Sequence, residues 1–356
     1  MTASDPNSLA SLLCAHRGYH NPRDDSDPTR FLENTLPAYE RGWELLDFAE
    51  CDVQLSRDGE VVLVHDTCLA RVAEITHCLE GEELEASASA LGLDLEDLQV
   101  LVEAEGCALA SALVRPSLAR LWERSLLNEL KYQALPPHEQ KQVQILLAHC
   151  AVRELSLLQL NRVPLKRAAR VPRLEELLEL LLEPRFESKQ LVIELKTGDP
   201  EVVDPVLELI ERRECWSRVF LMSFDADVMR AAHQRWHQGS YGELRTFWLV
   251  CSHFYEELGE NSEGYLDSPE RVGELIHRLK DIGVGGVYLE YNPDVTTAEV
   301  LLAFKDAGLE LGIWSGKAEF ERGEVVEMLG ECGAMVINTD EPEFLLKELG
   351  VKGKKW

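Results

Sequence analysis

The sequence predicts an α/β chain closed into a (β/α)8 barrel, and three observations carry that expectation. From Leu174 onward, short apolar runs alternate with amphipathic helical stretches, the pattern of parallel strands joined by crossover helices. Two further apolar runs near the N-terminus bring the parallel strands to eight, the number that closes such a barrel. Charged residues recur where the apolar runs stop, and a barrel of this kind places its site at the C-terminal ends of its strands. A doubly wound open sheet shares the alternation, but no glycine-rich nucleotide loop supports it.

Taken in order, Leu12 to Ala15 reads as a buried strand that delivers His16-Arg17-Gly18 at its end. A polar loop follows, and Glu33-Asn34-Thr35 opens a helix through Trp43, with Thr35 or Asn34 as its cap. Phe48 to Leu55 and Glu60 to His65 alternate apolar and polar residues around Arg57-Asp58-Gly59. An Asp-Gly pair between such runs predicts a tight hairpin with positive φ at both positions. That register sets Arg57 opposite Glu60, Val53 opposite Val64 and Asp52 opposite His65. It gathers Glu50, Asp52 and an imidazole on one face.

Between about Thr76 and Cys150 the periodicity is helical throughout. The expectation is a helical insertion over 76–150 within one domain spanning 1–356, between the second and third barrel strands. A helix from Leu174 to Leu182 follows. Strands are then expected at Leu191–Leu195, Arg218–Met222, Arg245–Val250, Gly286–Glu290, Glu310–Trp314 and Met335–Asn338. The helices between them lie near Pro205–Arg213, Asp225–Trp236, Pro269–Ile282, Thr297–Ala307 and Glu321–Gly330.

Composition excludes several classes of function. A net charge of −28 opposes general nucleic-acid binding, which needs a basic surface, and docking on an anionic leaflet. No segment reaches the ~18 apolar residues of a membrane span. The nine cysteines form no C-x-x-C pair or zinc spacing, which favours a reducing, cytoplasmic setting. Cys14 and Cys51 have no activating base beside them, so a thiol nucleophile is not expected.

The strand ends carry the chemistry. His16 and Arg17 end the first strand, Glu50 and Asp52 the second, Glu194 and Lys196 the third, Trp314 the seventh and Thr339-Asp340 the eighth. Carboxylates suit hard cations and imidazoles suit proton transfer. Glu194 with Lys196 is also a natural salt bridge. Asp66 is expected to orient the hairpin or His65, and Glu290 either enters the pocket or forms an ion pair. His20, His77, His138, His149, His233 and His237 are expected to be structural or solvated.

These residues resemble the glycerophosphodiester phosphodiesterase family. The resemblance rests on A-H-R-G at Ala15 to Gly18, E-N-T at Glu33 to Thr35, E-x-D-V at Glu50 to Val53 and R-D-G at Arg57 to Gly59. It continues with V-x-V-H-D ending at Asp66, V-P-x-L-E-E at Val171 to Glu176 and I-E-L-K at Ile193 to Lys196. S-F at Ser223-Phe224, G-I-W at Gly312 to Trp314 and N-T-D at Asn338 to Asp340 complete it. The set covers both ends of the chain and omits only the helical insertion. After Trp314 this chain has Ser315-Gly316-Lys317 where the family usually carries a polar pair.

The resemblance implies hydrolysis of glycerophosphodiesters to sn-glycerol 3-phosphate and an alcohol. It implies that Glu50, Asp52 and Glu194 hold one divalent cation, Ca²⁺ or Mg²⁺, and that His16 and His65 are the acid/base pair. Arg17 and Lys196 match phosphate-side positions, Trp314 a pocket wall, and Glu33 an acidic position near the metal. An anionic diester needs such a cation to approach an acidic cluster. The nucleophile is water or the glycerol 2-hydroxyl. Alternatives are a lysophospholipase D acting on lysolipids and a non-catalytic barrel binding a phosphodiester or a protein. A sphingomyelinase D or a phosphatidylinositol-type lyase would use the same barrel, the former usually with disulfides. The insertion could form a lid over the site or a docking surface for a protein partner.

Overall fold

The computed structural model describes residues 5–20, 29–67, 69, 72, 152–161, 163, 165–196, 200–239, 242–253, 264–315 and 320–351. The expected insertion at 76–150, and Gly316 and Lys317, lie outside the described residues. The chain divides into two compact units, one of Met1–Val53, Leu174–Phe254 and Asn261–Trp356, the other of Gln54–Arg173 and Tyr255–Glu260.

The first unit opens with helix α1 (Pro6–Ala10), strand β1 (Leu13–Ala15), helix α2 (Leu36–Leu45) and strand β2 (Phe48–Leu55), whose residues through Val53 belong to it. In the second unit lie strand β3 (Val61–Leu63) and helix α3 (Leu157–Leu160). The first unit resumes with α4 (Leu174–Leu181), β4 (Gln190–Leu195), α5 (Val203–Arg212), β5 (Val219–Ser223), α6 (Ala226–Gln238) and β6 (Arg245–Val250). It ends with α7 (Val272–Ile282), β7 (Gly286–Glu290), α8 (Ala298–Asp306), β8 (Glu310–Trp314), α9 (Gly323–Glu331), β9 (Val336–Thr339) and α10 (Pro342–Glu348).

Eight strands pair in parallel in the order β1-β9-β8-β7-β6-β5-β4-β2, and β1 pairs β2 to close the barrel. The registers that matter place Asp52 beside Glu194, Ala15 beside Thr339 and Glu290 beside Trp314. Helix α2 follows Thr35 in an extended conformation, with a proline in its first turn and Ala38, Tyr39, Gly42 and Trp43 on its buried face. Asp225 caps α6 by accepting from the amides of Asp227 and Val228, which satisfies donors a helix start leaves open.

The barrel interior explains why the sequence alternates as it does. Cys14, Phe48, Val192, Phe220, Met222, Phe247, Leu249, Tyr288 and Val336 form one buried cluster. Phe48, Phe220 and Phe247 stack in series with ring centroids 5.7 and 5.8 Å apart. Each such buried aromatic contributes about 1.5–3 kcal/mol. Side chains on one face recur every second residue. The next positions along these strands, toward their C-terminal ends, are His16, Glu50, Glu194, Phe224, Glu290 and Asn338. On β1, β2, β4, β7 and β9 the apolar plug therefore changes to polar residues within one layer of the barrel mouth, while Phe224 after β5 keeps its part of that layer apolar.

In the second unit the hairpin turn differs from the expected one. The Gly59 amide donates to the Ser56 carbonyl, and the Ser56 amide to the Glu60 carbonyl. Of Asp58 and Gly59, only Gly59 has positive φ, at 80°. This is a three-residue loop closed by a left-handed glycine. Ser56, not Arg57, stands opposite Glu60, which shifts the predicted register by one residue. The reason lies beyond the local pair. Asp58 accepts from the Ser56 hydroxyl at 2.7 Å and from the Leu157 amide at 2.9 Å, at the start of α3. Both bonds hold Asp58 in its observed conformation. Among the described residues, no helix is long and apolar enough to cross a membrane.

Candidate active site

The site is built at the end of β1, where the chain turns sharply. Arg17 and Asn34 have left-handed backbones, φ 52° and 55°, and the Asn34 amide donates to the Arg17 carbonyl at 3.0 Å. Gly18, at φ 79°, lies so close to α2 that a Cβ there would meet the Ala38 carbonyl carbon at 2.7 Å. Left-handed non-glycine residues cost about 1–3 kcal/mol each and persist only where surrounding bonds hold them. Here the turn aims the Arg17 amide at Glu50 Oε2, 2.9 Å away. Its guanidinium reaches Glu33 Oε1 at 3.2 Å and Asp52 Oδ2 at 3.3 Å.

Glu50, Asp52 and Glu194 are all buried, and one carboxylate oxygen from each lies within 4.8 Å of the other two. Lys196 Nζ sits 2.9 Å from Glu194 Oε1 and 3.7 Å from Asp52 Oδ1. The expected Glu194–Lys196 pair thus forms, but inside the acidic cluster. Burial, then the Asp52 charge, raises the Glu50 carboxyl to about 8. Burial also raises Glu194, against the attraction of Lys196. Burial alone would lower Lys196, but Glu194 and Asp52 hold it above its ordinary value.

His16 emerges from β1 beside this cluster, with Nε2 3.9 Å from Glu50 Oε2 and Nδ1 2.7 Å from Asp340 Oδ1. Burial and Arg17 oppose protonation of His16, yet Asp340 and Glu50 leave its pKa raised. Asp340 is pushed up by burial but held at about 2 by the charge and hydrogen bond of His16. Glu321 fixes Asp340 in turn, accepting its amide at 2.9 Å and the Thr339 hydroxyl at 2.7 Å. Trp314 packs edge-on against Phe224, centroids 5.5 Å apart, and Phe224 lies 6.0 Å from Lys196 Nζ.

His65 belongs to the second unit, where its Nδ1 meets Asp66 Oδ1 at 2.5 Å, as expected of Asp66. Gln54 donates to the carbonyls of Val64, His65 and Asp66 and so fixes the backbone beneath the imidazole. Cys14 and Cys51 are buried, with thiols held well above their usual range by that burial. This agrees with an inert role.

Two residues named in the sequence make contacts that the sequence did not reveal. Asn34, one of the two residues expected to cap α2, donates from Nδ2 to Asp52 Oδ2 at 2.8 Å and accepts the Asp52 amide and the Tyr39 hydroxyl on Oδ1, while Thr35 takes the cap position. Asp340 was visible as a strand end, but its partner His16 is 324 residues away. Glu290, for which two roles were open, accepts the amides of Ser252 and His253 and pairs with His253 Nδ1 at 2.9 Å.

The donor set fits a hard divalent cation. All three groups offer carboxylate oxygens, the ligands Ca²⁺ and Mg²⁺ prefer. Glu50 Oε1 is buried and has no hydrogen-bond partner among the described residues. Such an atom is costly unless a proton or a cation meets it.

Comparison with known proteins gives the family. The family model described as the glycerophosphoryl diester phosphodiesterase family matches residues 16–344. The chain belongs to that family. A solved structure from Galdieria sulphuraria, provisionally named a glycerophosphodiester phosphodiesterase, shares 16% identity at a TM-score of 0.58, covering 96% of this chain and 98% of that one. The glycerophosphodiester phosphodiesterase of Thermotoga maritima shares 18% identity at a TM-score of 0.52, over 94% and 97% of the two chains. At these identities the likeness establishes the fold. A curated glycerophosphodiester phosphodiesterase of Caldanaerobacter subterraneus is 39% identical over 64 residues, 18% of this chain. An uncharacterized protein of Bacillus subtilis is 34% identical over 86 residues, 23% of this chain. The matched stretches span 23% and 32% of those two relatives.

Proposed function

We propose that this family member hydrolyses glycerophosphodiesters to sn-glycerol 3-phosphate and an alcohol. One Ca²⁺ or Mg²⁺ would be held by Glu50, Asp52 and Glu194. The observation that carries the reading is the convergence of three buried carboxylates with Arg17, Lys196 and His16 on the C-terminal ends of β1, β2 and β4. When bound, the cation supplies charge neutralisation and polarisation of a phosphoryl oxygen.

The chain's own residues do the rest. Arg17 binds phosphate oxygens through its paired N–H groups and Lys196 adds a point charge. Glu33 holds the guanidinium in place at 3.2 Å. With His16 Nδ1 directed to Asp340, Nε2 is left to take or give the proton at the reacting oxygen. His65 is the proposed second acid/base group, its Nδ1 engaged by Asp66 in the same way. Each such proton transfer is worth roughly 10²–10⁴-fold. Trp314 is the proposed wall of the substrate pocket.

The reading takes the chain as one cytoplasmic domain with an insertion at 76–150 and a small-molecule substrate. The free, buried Cys14, Cys51, Cys215, Cys251 and Cys332 suit a reducing compartment. The test is glycerol 3-phosphate release from glycerophosphodiesters and from lysolipids, with and without chelator, for wild type and His16→Ala. Chelator-sensitive release from small diesters, lost in His16→Ala, supports the reading. Turnover of lysolipids alone redirects it to a lysophospholipase D, and no turnover of either leaves a binding protein.

A further inference from the structure

A second cluster of metal-ligating groups stands beside the first, with different chemistry. His16, His20 and Asp340 each place one ligand atom within 4.8 Å of the other two. His20 is only 3% exposed, and its Nδ1 meets the Gly18 carbonyl at 3.5 Å. Its Nε2 is buried without a hydrogen-bond partner among the described residues, an omission that costs about 1–3 kcal/mol. The two imidazole rings meet edge to face with centroids 5.9 Å apart. Arg30 ties the backbones together, donating to the carbonyls of His20 at 3.2 Å and Asp340 at 3.4 Å. His16 and Asp340 keep 27% and 16% of their side-chain surfaces exposed, so an ion can enter from solvent.

We infer that His16, His20 and Asp340 form an inhibitory site for a borderline transition-metal cation of the Zn²⁺ class. Two imidazole nitrogens and one carboxylate oxygen suit Zn²⁺, Co²⁺ or Ni²⁺ and not Ca²⁺ or Mg²⁺. Zinc bonds of ~2.1 Å set ligand atoms ~3.4 Å apart. The widest of the three separations therefore closes by at most about 1.4 Å, within reach of side-chain rotation. Bound through Nδ1, the His16 imidazole keeps its one proton on Nε2 and has no lone pair there. It can no longer accept a proton near neutral pH. This consequence rests on the acid/base role proposed for His16, whereas the binding itself does not.

The test is calorimetric titration of Zn²⁺ into the full chain in a non-coordinating buffer with Ca²⁺ in large excess. Wild type is expected to retain one Zn²⁺ site. His20→Asn and Asp340→Asn, each checked for folding by circular dichroism, are expected to weaken it at least about tenfold. Visible absorption of bound Co²⁺ should lose intensity in His20→Asn. Equal Zn²⁺ affinity in wild type and both variants, or stoichiometric displacement by Ca²⁺, overturns the site. Zn²⁺ should also inhibit diester turnover at saturating Ca²⁺, and His20→Asn should need at least about tenfold more Zn²⁺ for half-inhibition of its own zinc-free rate. Binding without inhibition overturns the inhibitory role. A protein that turns over no diester at all refutes the proposed activity, while the calorimetric titration still decides whether the zinc site exists.

Discussion

Replacing Asp340 with Asn removes the carboxylate that holds His16 while leaving its shape. The drop of the Asp340 carboxyl from 3.8 to about 2 corresponds to ~2.5 kcal/mol of net attraction to its surroundings, at 1.36 kcal/mol per pH unit. Because Asp340 is only 16% exposed, solvent screening takes little of this. A depressed carboxyl stabilises the fold above its unfolded pKa, and that contribution fades as pH falls through about 2. The raised imidazole of His16 stabilises below its unfolded value and loses that contribution as pH rises through its folded one. The pair therefore acts fully between about pH 4 and 6.5, the two unfolded values. Urea denaturation of Asp340→Asn should show a loss of ~2 kcal/mol at pH 5.5 and a clearly smaller loss at pH 9. NMR titration of the His16 ring should find its midpoint lowered, and the acidic limb of kcat/KM should follow it. Equal losses at both pH values, with an unmoved His16 midpoint, would refute the reasoning.

In metal-free protein, Glu50 is raised to about 8, so the native state binds more protons than the unfolded chain between about pH 4.5 and 8. The melting temperature should fall across that range, Ca²⁺ should restore it, and Glu50→Gln should flatten the dependence. Asn34→Ala leaves Asp52 without the 2.8 Å bond that aims its carboxylate, and Ca²⁺ affinity measured by calorimetry should drop roughly 10–100-fold. Gly18→Ala drives a Cβ to 2.7 Å from the Ala38 backbone at φ 79°. Chemical denaturation should show a loss of ~2–4 kcal/mol. Trp314→Ala should raise KM for the diester with kcat little changed, as expected of uniform binding.

The barrel was legible because its signal is repeated. Each of β4 to β9 is an apolar run flanked by a helical pattern, and an error of one residue at a boundary, as at Val219 or Val336, leaves the alternation intact. The carboxylates were legible because a charged residue in an apolar strand violates burial, and Glu50, Asp52 and Glu194 each do so. The hairpin register was misread because Asp58 obeys Leu157, 99 residues later, and not the local Asp-Gly rule. His20 looked ordinary because the group that gives it company, Asp340, lies 320 residues later and joins it only through the fold, by way of Arg30.

Local patterning determined the strands, the helices between them and the kinds of group at the strand ends, since those follow from side-chain periodicity and short-range sterics. Only the closed barrel decided which groups meet. It set Asp340 against His16 and Asn34 against Asp52, and it buried His20 with a nitrogen unspent. Those contacts arise from strand order and register, which sum small pairing energies over the whole chain and leave no trace at any single position.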